Sequence, residues 1–310
     1  MLCILYVIGV GTLLGIAGLL VERALPAHTP RRWIWCLIIV VSIALPGYYR
    51  WHHAADLGAA HATMPLMTVS AAQIESLNPM INTATRIASA TLLLWALVNA
   101  GWVTHLVRVA RTGRRGTGGP AVVDGIPVVV TASLGPATVG FWHSRVLLPK
   151  WVLALPCAQR QYVVRHEEEH RRAHDGRLLV LASLLTILAP WNLALWWQLR
   201  RLSLAIEMDC DNRVVRALGN APAYGNLLLK VAQAGSRRPH LQPALLGGAG
   251  MLEQRIAVLM EPAPLRLAQR LLLPAVAFAL VLAVVLIPHP VLSKSHAHAP
   301  AAASYATARR

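Results

Sequence analysis

Apolar residues in this chain come in runs too long for one face of a soluble helix. Five uncharged stretches, 1–21, 33–49, 87–107, 178–199 and 271–287, approach the roughly 20 residues that cross a bilayer as a helix. The first lacks a basic start and a small-x-small cleavage site, so it reads as a span rather than a cleaved signal. The second is slightly short, with Trp33 and Trp35 at one end and Tyr48 and Tyr49 at the other, as an interfacial aromatic belt requires. Inside the fourth, Ala189-Pro190-Trp191-Asn192 interrupts the pattern, and this predicts two shorter helices, 178–189 and 192–206, in place of one crossing.

Between the third and fourth runs the pattern changes. Residues 112–120 form a Gly-rich linker. Val122-Val123, Asp124-Gly125 and Ile126 to Thr131 predict a tight hairpin. Val146 to Pro149 is a further strand and 158–175 a helix. The tail after 288, rich in Ala, His and Ser, is expected to be disordered. No internal repeat is present.

Composition agrees with a membrane protein. Of 310 residues, 56% are hydrophobic and only 14% charged, against roughly 25% charged in soluble domains. The formal charge is +16, which suits either nucleic acid or loops facing the cytoplasm. No nucleic-acid-binding motif is found, so no direct nucleic-acid partner is expected. Arg23, Arg31 and Arg32 crowd the link 22–32, and Arg108, Arg111, Arg114 and Arg115 follow the third run. The longer link 50–86 carries only Arg50 and Arg86. The positive-inside rule therefore puts 22–32 and the region after 108 in the cytoplasm, with 50–86, the N-terminus and the C-terminal tail outside. Cys3, Cys36, Cys157 and Cys210 show no C-x-x-C spacing and imply neither a disulfide framework nor a zinc ribbon.

The candidate chemistry lies on the predicted helix, at His166-Glu167-Glu168-Glu169-His170. Positions i and i+4 share a helix face, so both imidazoles can reach one metal ion. Glu167, offset around the helix, can take a proton from a metal-bound water. The competing reading is a charged helix surface. A catalytic zinc takes a third protein ligand and keeps one position for water. Glu207-Met208-Asp209-Cys210-Asp211 supplies Glu207 for the former. Asp211, one turn on, can accept the N–H of a ligating histidine. Cys210 is an alternative ligand, ranked below Glu207 because the carboxylate pair accounts for two residues at once. If 178–199 crossed the membrane once, about 33 Å of helix would separate His170 from Glu207. A shared metal therefore requires this run to turn back.

These residues resemble the BlaR/MecR-type integral-membrane zinc metallopeptidases, which are gluzincins. The matching points are Arg145-Val146-Leu147-Leu148-Pro149, H-E-E-E-H with Asp175 five residues on, the Trp191-Asn192 turn, E-M-D-C-D-N-R-V-V at Glu207–Val215, and Glu253-Gln254-Arg255-Ile256. The resemblance implies His166, His170 and Glu207 as ligands of one Zn2+ per chain, Glu167 as the base, and Asp211 behind the ligands. It also offers Arg255 as a donor to the reacting carbonyl; Asp175 is placed with Asp211 behind the ligands, as a residue that caps or orients the motif helix or only ends it before Gly176. The expected architecture is a mainly α membrane protein with four transmembrane helices and a cytoplasmic α+β gluzincin-like domain. In that division, 1–111 holds three spans (about 1–21, 33–49 and 87–107) and 112–268 is the peptidase domain. The domain includes a re-entrant or interfacial hairpin at 178–206. Residues 269–288 form the last span and 289–310 a short extracytoplasmic tail. The β-lactam receptors of the family end in a large penicillin-binding domain, whereas this sequence stops about 20 residues after its last span. Antibiotic sensing is therefore not implied.

The expected function is regulated proteolysis at a bacterial-type inner membrane. The partners are then the lipid bilayer and a cytoplasmic protein substrate, with a helix-turn-helix repressor or the chain itself as candidates. A homo-oligomer is left open. The alternative is a catalytically inactive signal-transducing scaffold, against which the presence of Glu167 argues. Tyr224 and His143 are weaker donor candidates, and His174 reads as a surface residue. His52, His53, His61, His296 and His298 read as scattered exposed histidines.

Overall fold

The computed structural model describes residues 2–26, 29–56, scattered positions between 83 and 104, 119–132, 135–189, 191–235, 249–260 and 267–286. Two long helices open the chain, α1 (Leu2–Ala24) and α2 (Arg32–Asp56). A small sheet follows, with strands β1 (Pro120–Val123), β2 (Ile126–Thr131), β3 (Ala137–Val139) and β4 (Arg145–Pro149). Then come helices α3 (Lys150–Leu153), α4 (Cys157–Ala173), α5 (Asp175–Leu188), α6 (Leu193–Leu218), α7 (Ala221–Gly235), α8 (Ala249–Met260) and α9 (Leu267–Leu286).

Two of these helices are long and apolar enough to cross a membrane, Ile4–Ala24 and Ala268–Leu286, while Arg32–Tyr48 is a shorter apolar helix. The expected span at 87–107 lies largely outside the described residues; its described positions are helical. The linker 112–118 and the tail after 288 also lie outside them. So does Pro190, but the break beside it is visible. Asn192 caps α6, its side chain accepting from Ala194 N at 3.1 Å, so the fourth apolar run is two helices that turn back on each other.

Helix α6 joins two cores. Its first half packs Leu195, Leu199 and Leu202 against Trp35 and Ile39 of α2. Gln198 is fully buried there and donates to Gly11 O at 2.7 Å and to Ser42 Oγ at 3.1 Å, tying α6 to α1 and α2. Contact is close enough that a side chain at Gly15 would run into the Trp197 ring. The second half carries Cys210 and Val214 into another cluster, with Val128, Val146 and Leu148 of the sheet and Tyr162, Val163 and Val164 of α4.

The sheet order is β1-β2-β4-β3. The β1–β2 pair is the expected hairpin, with Asp124 and Gly125 at positive φ (52° and 79°), as a two-residue turn of this type demands. Strand β4 pairs in parallel with β2 and antiparallel with β3. Strand β3 was not expected from sequence; three residues after a Gly-Pro pair carry no periodic signal.

Candidate metal centre

Helix α4 begins after Pro156; proline there loses nothing, because the first N–H groups of a helix have no internal partner. The helix ends at His174, which adopts a left-handed φ of 55° and hands the chain to α5. This joint brings Asp175 under His170, and Asp175 Oδ2 lies 2.9 Å from His170 Nδ1. The α5–α6 turn then brings Glu207 back, its two oxygens each 3.6 Å from an imidazole, Oε2 from His166 Nε2 and Oε1 from His170 Nε2. Chain reversal thus brings together the two histidines and the glutamate that one straight crossing would have kept apart.

In the neutral, metal-binding form of the two rings, the polar contacts behind them select the tautomer. His170 Nδ1–H donates to Asp175, which as a carboxylate can only accept. His166 Nδ1 lies 2.9 Å from Tyr224 Oη, and Tyr224 donates its own proton to Asp211 Oδ1 at 2.7 Å. The two Nε2 atoms then face each other 3.1 Å apart. Two facing lone pairs repel, whereas a cation between them bonds both. Metal–nitrogen bonds of about 2.05 Å in a tetrahedron would place the nitrogens about 3.3 Å apart. The residues present therefore fit a metal ion. Cys210 Sγ, 3.4 Å from His166 Nδ1, adds sulfur to the donor set, and His166, His170 and Cys210 offer ligand atoms within 4.8 Å of one another.

The surrounding charges favour a cation at this spot. Burial opposes a charged His166, but the Cys210 sulfur and Glu207 outweigh it and push the ring up to about 10. His170 rises well above its ordinary range for similar reasons, against its own burial. Burial would raise Glu207, yet Arg255 and the two imidazoles hold it well below the usual carboxylate range. The imidazoles likewise lower the buried Cys210 thiol.

Arg255 on α8 forks onto Asp211 at 2.7 and 2.8 Å and reaches Glu207 Oε2 at 2.9 Å. It therefore braces the carboxylates of α6. Asp211 sits 3.5 Å from His166 Nδ1, and the closer contact to that nitrogen is the Tyr224 hydroxyl. Tyr224, 1% exposed, thus stands behind the ring. Glu167 is buried beside β3, where the Thr138 hydroxyl lies 2.7 Å from the Glu167 carbonyl oxygen and 3.2 Å from Oε2. Glu168 and Glu169 are buried as well, so the motif helix is not a plain charged surface. Glu168 is paired with Arg171 and Arg172, Glu169 with Arg165 and Arg213. Arg171 and Arg172 hold the Glu168 carboxyl below its usual range. His143 is exposed.

Sequence reasoning missed Thr138, Arg213 and Arg32. Arg213 donates to both Glu169 and Asp175, each at 3.1 Å. Arg213 lies inside the E-M-D-C-D-N-R-V-V stretch but had no role assigned to it, and Thr138 and Arg32 belong to no local spacing pattern; the fold brings all three to the site.

Residues 125–259 match the family model described as BlaR1 peptidase M56. No curated protein matches the chain. The matched stretch runs from the β1–β2 turn to the end of α8 and contains every residue of the candidate centre except Arg32, so residues 125–259 are similar to the peptidase domains of the BlaR1 type.

Proposed function

We propose that the protein is a zinc-dependent endopeptidase that cleaves a cytoplasmic protein in signal transduction. The observation that carries this reading is the convergence of His166 Nε2, His170 Nε2 and Glu207 on one point, with Glu167 one residue from a ligand. Zinc held there would polarise a peptide carbonyl and lower the pKa of a bound water to near 7. Glu167 would be the residue that takes a proton from such a water and returns it to the leaving amine. Strand β3 lies at the end of the sheet, paired with β4 alone among the described strands, and it touches Glu167 through Thr138. Its free edge suits an extended peptide, bound by main-chain hydrogen bonds. This supports cleavage within a chain rather than at its end.

Chelation tests the reading. Purified protein, incubated with cytoplasmic protein from its own cells, is expected to yield discrete fragments of itself or of a partner. 1,10-Phenanthroline should stop this and added zinc restore it. Fragments that persist unchanged in chelator would rule out metal-dependent cleavage.

The peptidase domain is assigned to the cytoplasm on the arginine asymmetry of the links. Cysteine introduced at Ala59 is expected to react with an impermeant maleimide on intact cells, and cysteine at Gly118 only after permeabilisation. Labelling at 118 from outside would invert the topology. The substrate is proposed to be a transcriptional repressor or the chain itself, acting at a bacterial-type inner membrane. The scaffold alternative is weighed below through Glu167.

A further inference from the structure

The first turn of α2 is fastened to the metal centre at two points. Asp209, two residues after Glu207, accepts from the backbone N–H groups of Arg31 and Arg32 at 3.0 and 3.1 Å. Its carboxylate satisfies donors that a helix start leaves without internal partners. The Arg32 guanidinium then reaches Asp175 Oδ1 at 2.6 Å. Asp175 is 1% exposed, and its other oxygen takes His170 Nδ1 and Arg213. Arg32 therefore holds the oxygen that the imidazole does not use. It fixes the rotation of a carboxylate whose remaining oxygen orients a ligand ring.

We propose that Arg32 is a positioning residue of the metal centre, through which the start of α2 sets the orientation of His170 by way of Asp175. The proposal rests on the metal reading above. Its physical content is a rigid path of three groups, Arg32, Asp175 and His170, each within hydrogen-bond distance of the next. Arg32 and Asp175, 143 positions apart in sequence, are joined by one ion pair. A shift or rotation of α2 that withdrew Arg32 would leave Asp175 held through Oδ2 alone, by His170 and Arg213, and its carboxylate and the ring it orients would be less tightly fixed. Partners behind a metal-ligating histidine are worth roughly 10–100-fold in metal affinity. Arg32 stands one step further back, with Arg213 still on Asp175, so its share lies near the lower end.

The test uses the full chain in detergent, with Co2+ as a probe whose visible absorption reports ligand geometry. Arg32→Ala is expected to weaken Co2+ binding about tenfold and to alter the absorption band. Arg23→Ala, on the exposed last turn of α1, should change neither. A residue acting through Asp175 must also be non-additive with it, so Arg32→Ala in an Asp175→Asn background should cost little more. Where alanine gives no folded protein, Arg32→Met keeps a long unbranched stem with no N–H donor and is read in the same way. Parent-like affinity in the Arg32 variant, or a loss fully additive to that of Asp175→Asn, would overturn the proposal while leaving the metal site standing. A parent chain that binds no Co2+ would overturn both.

Discussion

Replacing Glu167 with glutamine is expected to leave metal content intact and to slow peptide cleavage by about 10²–10⁴-fold, the usual worth of a general base. The two halves of this expectation come from different contacts. Glu167 lies between the ligand histidines in sequence, but its carboxylate turns to β3, where Oε2 is 3.2 Å from Thr138 Oγ1. The two imidazoles are held instead by Asp175, Tyr224 and Asp211 behind them and face Glu207 in front. Glutamine has the same length and retains an oxygen that can accept from Thr138, so α4 and β3 should stay packed. It cannot take a proton from a water at neutral pH. Metal content by atomic absorption and cleavage by fragment analysis, on the same preparation, separate the two effects. A Glu167→Gln protein that holds metal, cleaves nothing and signals like the parent would show that signalling does not need peptidase chemistry, and the scaffold reading would stand; one that cleaves like the parent would remove Glu167 as the base.

Most of what local pattern encodes was readable before the structure. The Asp124-Gly125 turn, strand β4, the motif helix and the break in the fourth apolar run each rest on residues within a few positions of one another, and each appears in the fold. The requirement that 178–199 turn back followed from distance alone, since a shared metal cannot tolerate a full crossing between its ligands. What stayed hidden is tertiary. Tyr224 was read as a weak donor toward substrate, but helix α7 places its hydroxyl between His166 and Asp211. Arg255 was read toward the reacting carbonyl, and α8 brings it onto Asp211 and Glu207. An arginine in sequence shows that a cation is present, not which carboxylate it meets. Arg32 could be read only as an orientation signal for the membrane, because its partner lies 143 residues away. Glu168 and Glu169 were open between a solvated helix surface and a part in the site, and the fold buries both against arginines. Sequence alone does not separate these two readings until the arginines that pair with them are known.

The ligand set gives the other large expected effect. The His166→Ala/His170→Ala variant should retain no stoichiometric metal, because it removes both nitrogens of a pair that stands 3.1 Å apart. The third ligand is decided by comparing Glu207→Gln with Cys210→Ser. Glu207 presents one oxygen to each Nε2 at 3.6 Å, on the side where the lone pairs converge. Cys210 Sγ instead lies 3.4 Å from His166 Nδ1 and the same distance from the His166 carbonyl oxygen, a position that also suits a small side chain filling the core against α4. If Glu207 is the ligand, Glu207→Gln should weaken binding by more than the roughly 100-fold that partners behind the ligands can reach. Cys210→Ser should then stay within about tenfold, the low end of the same range. A thiolate ligand would reverse that order, and with Co2+ it would add a strong sulfur-to-metal charge-transfer band that disappears in Cys210→Ser. Stoichiometric metal in the double histidine variant would remove the site altogether, since no other arrangement among the described residues offers converging imidazoles.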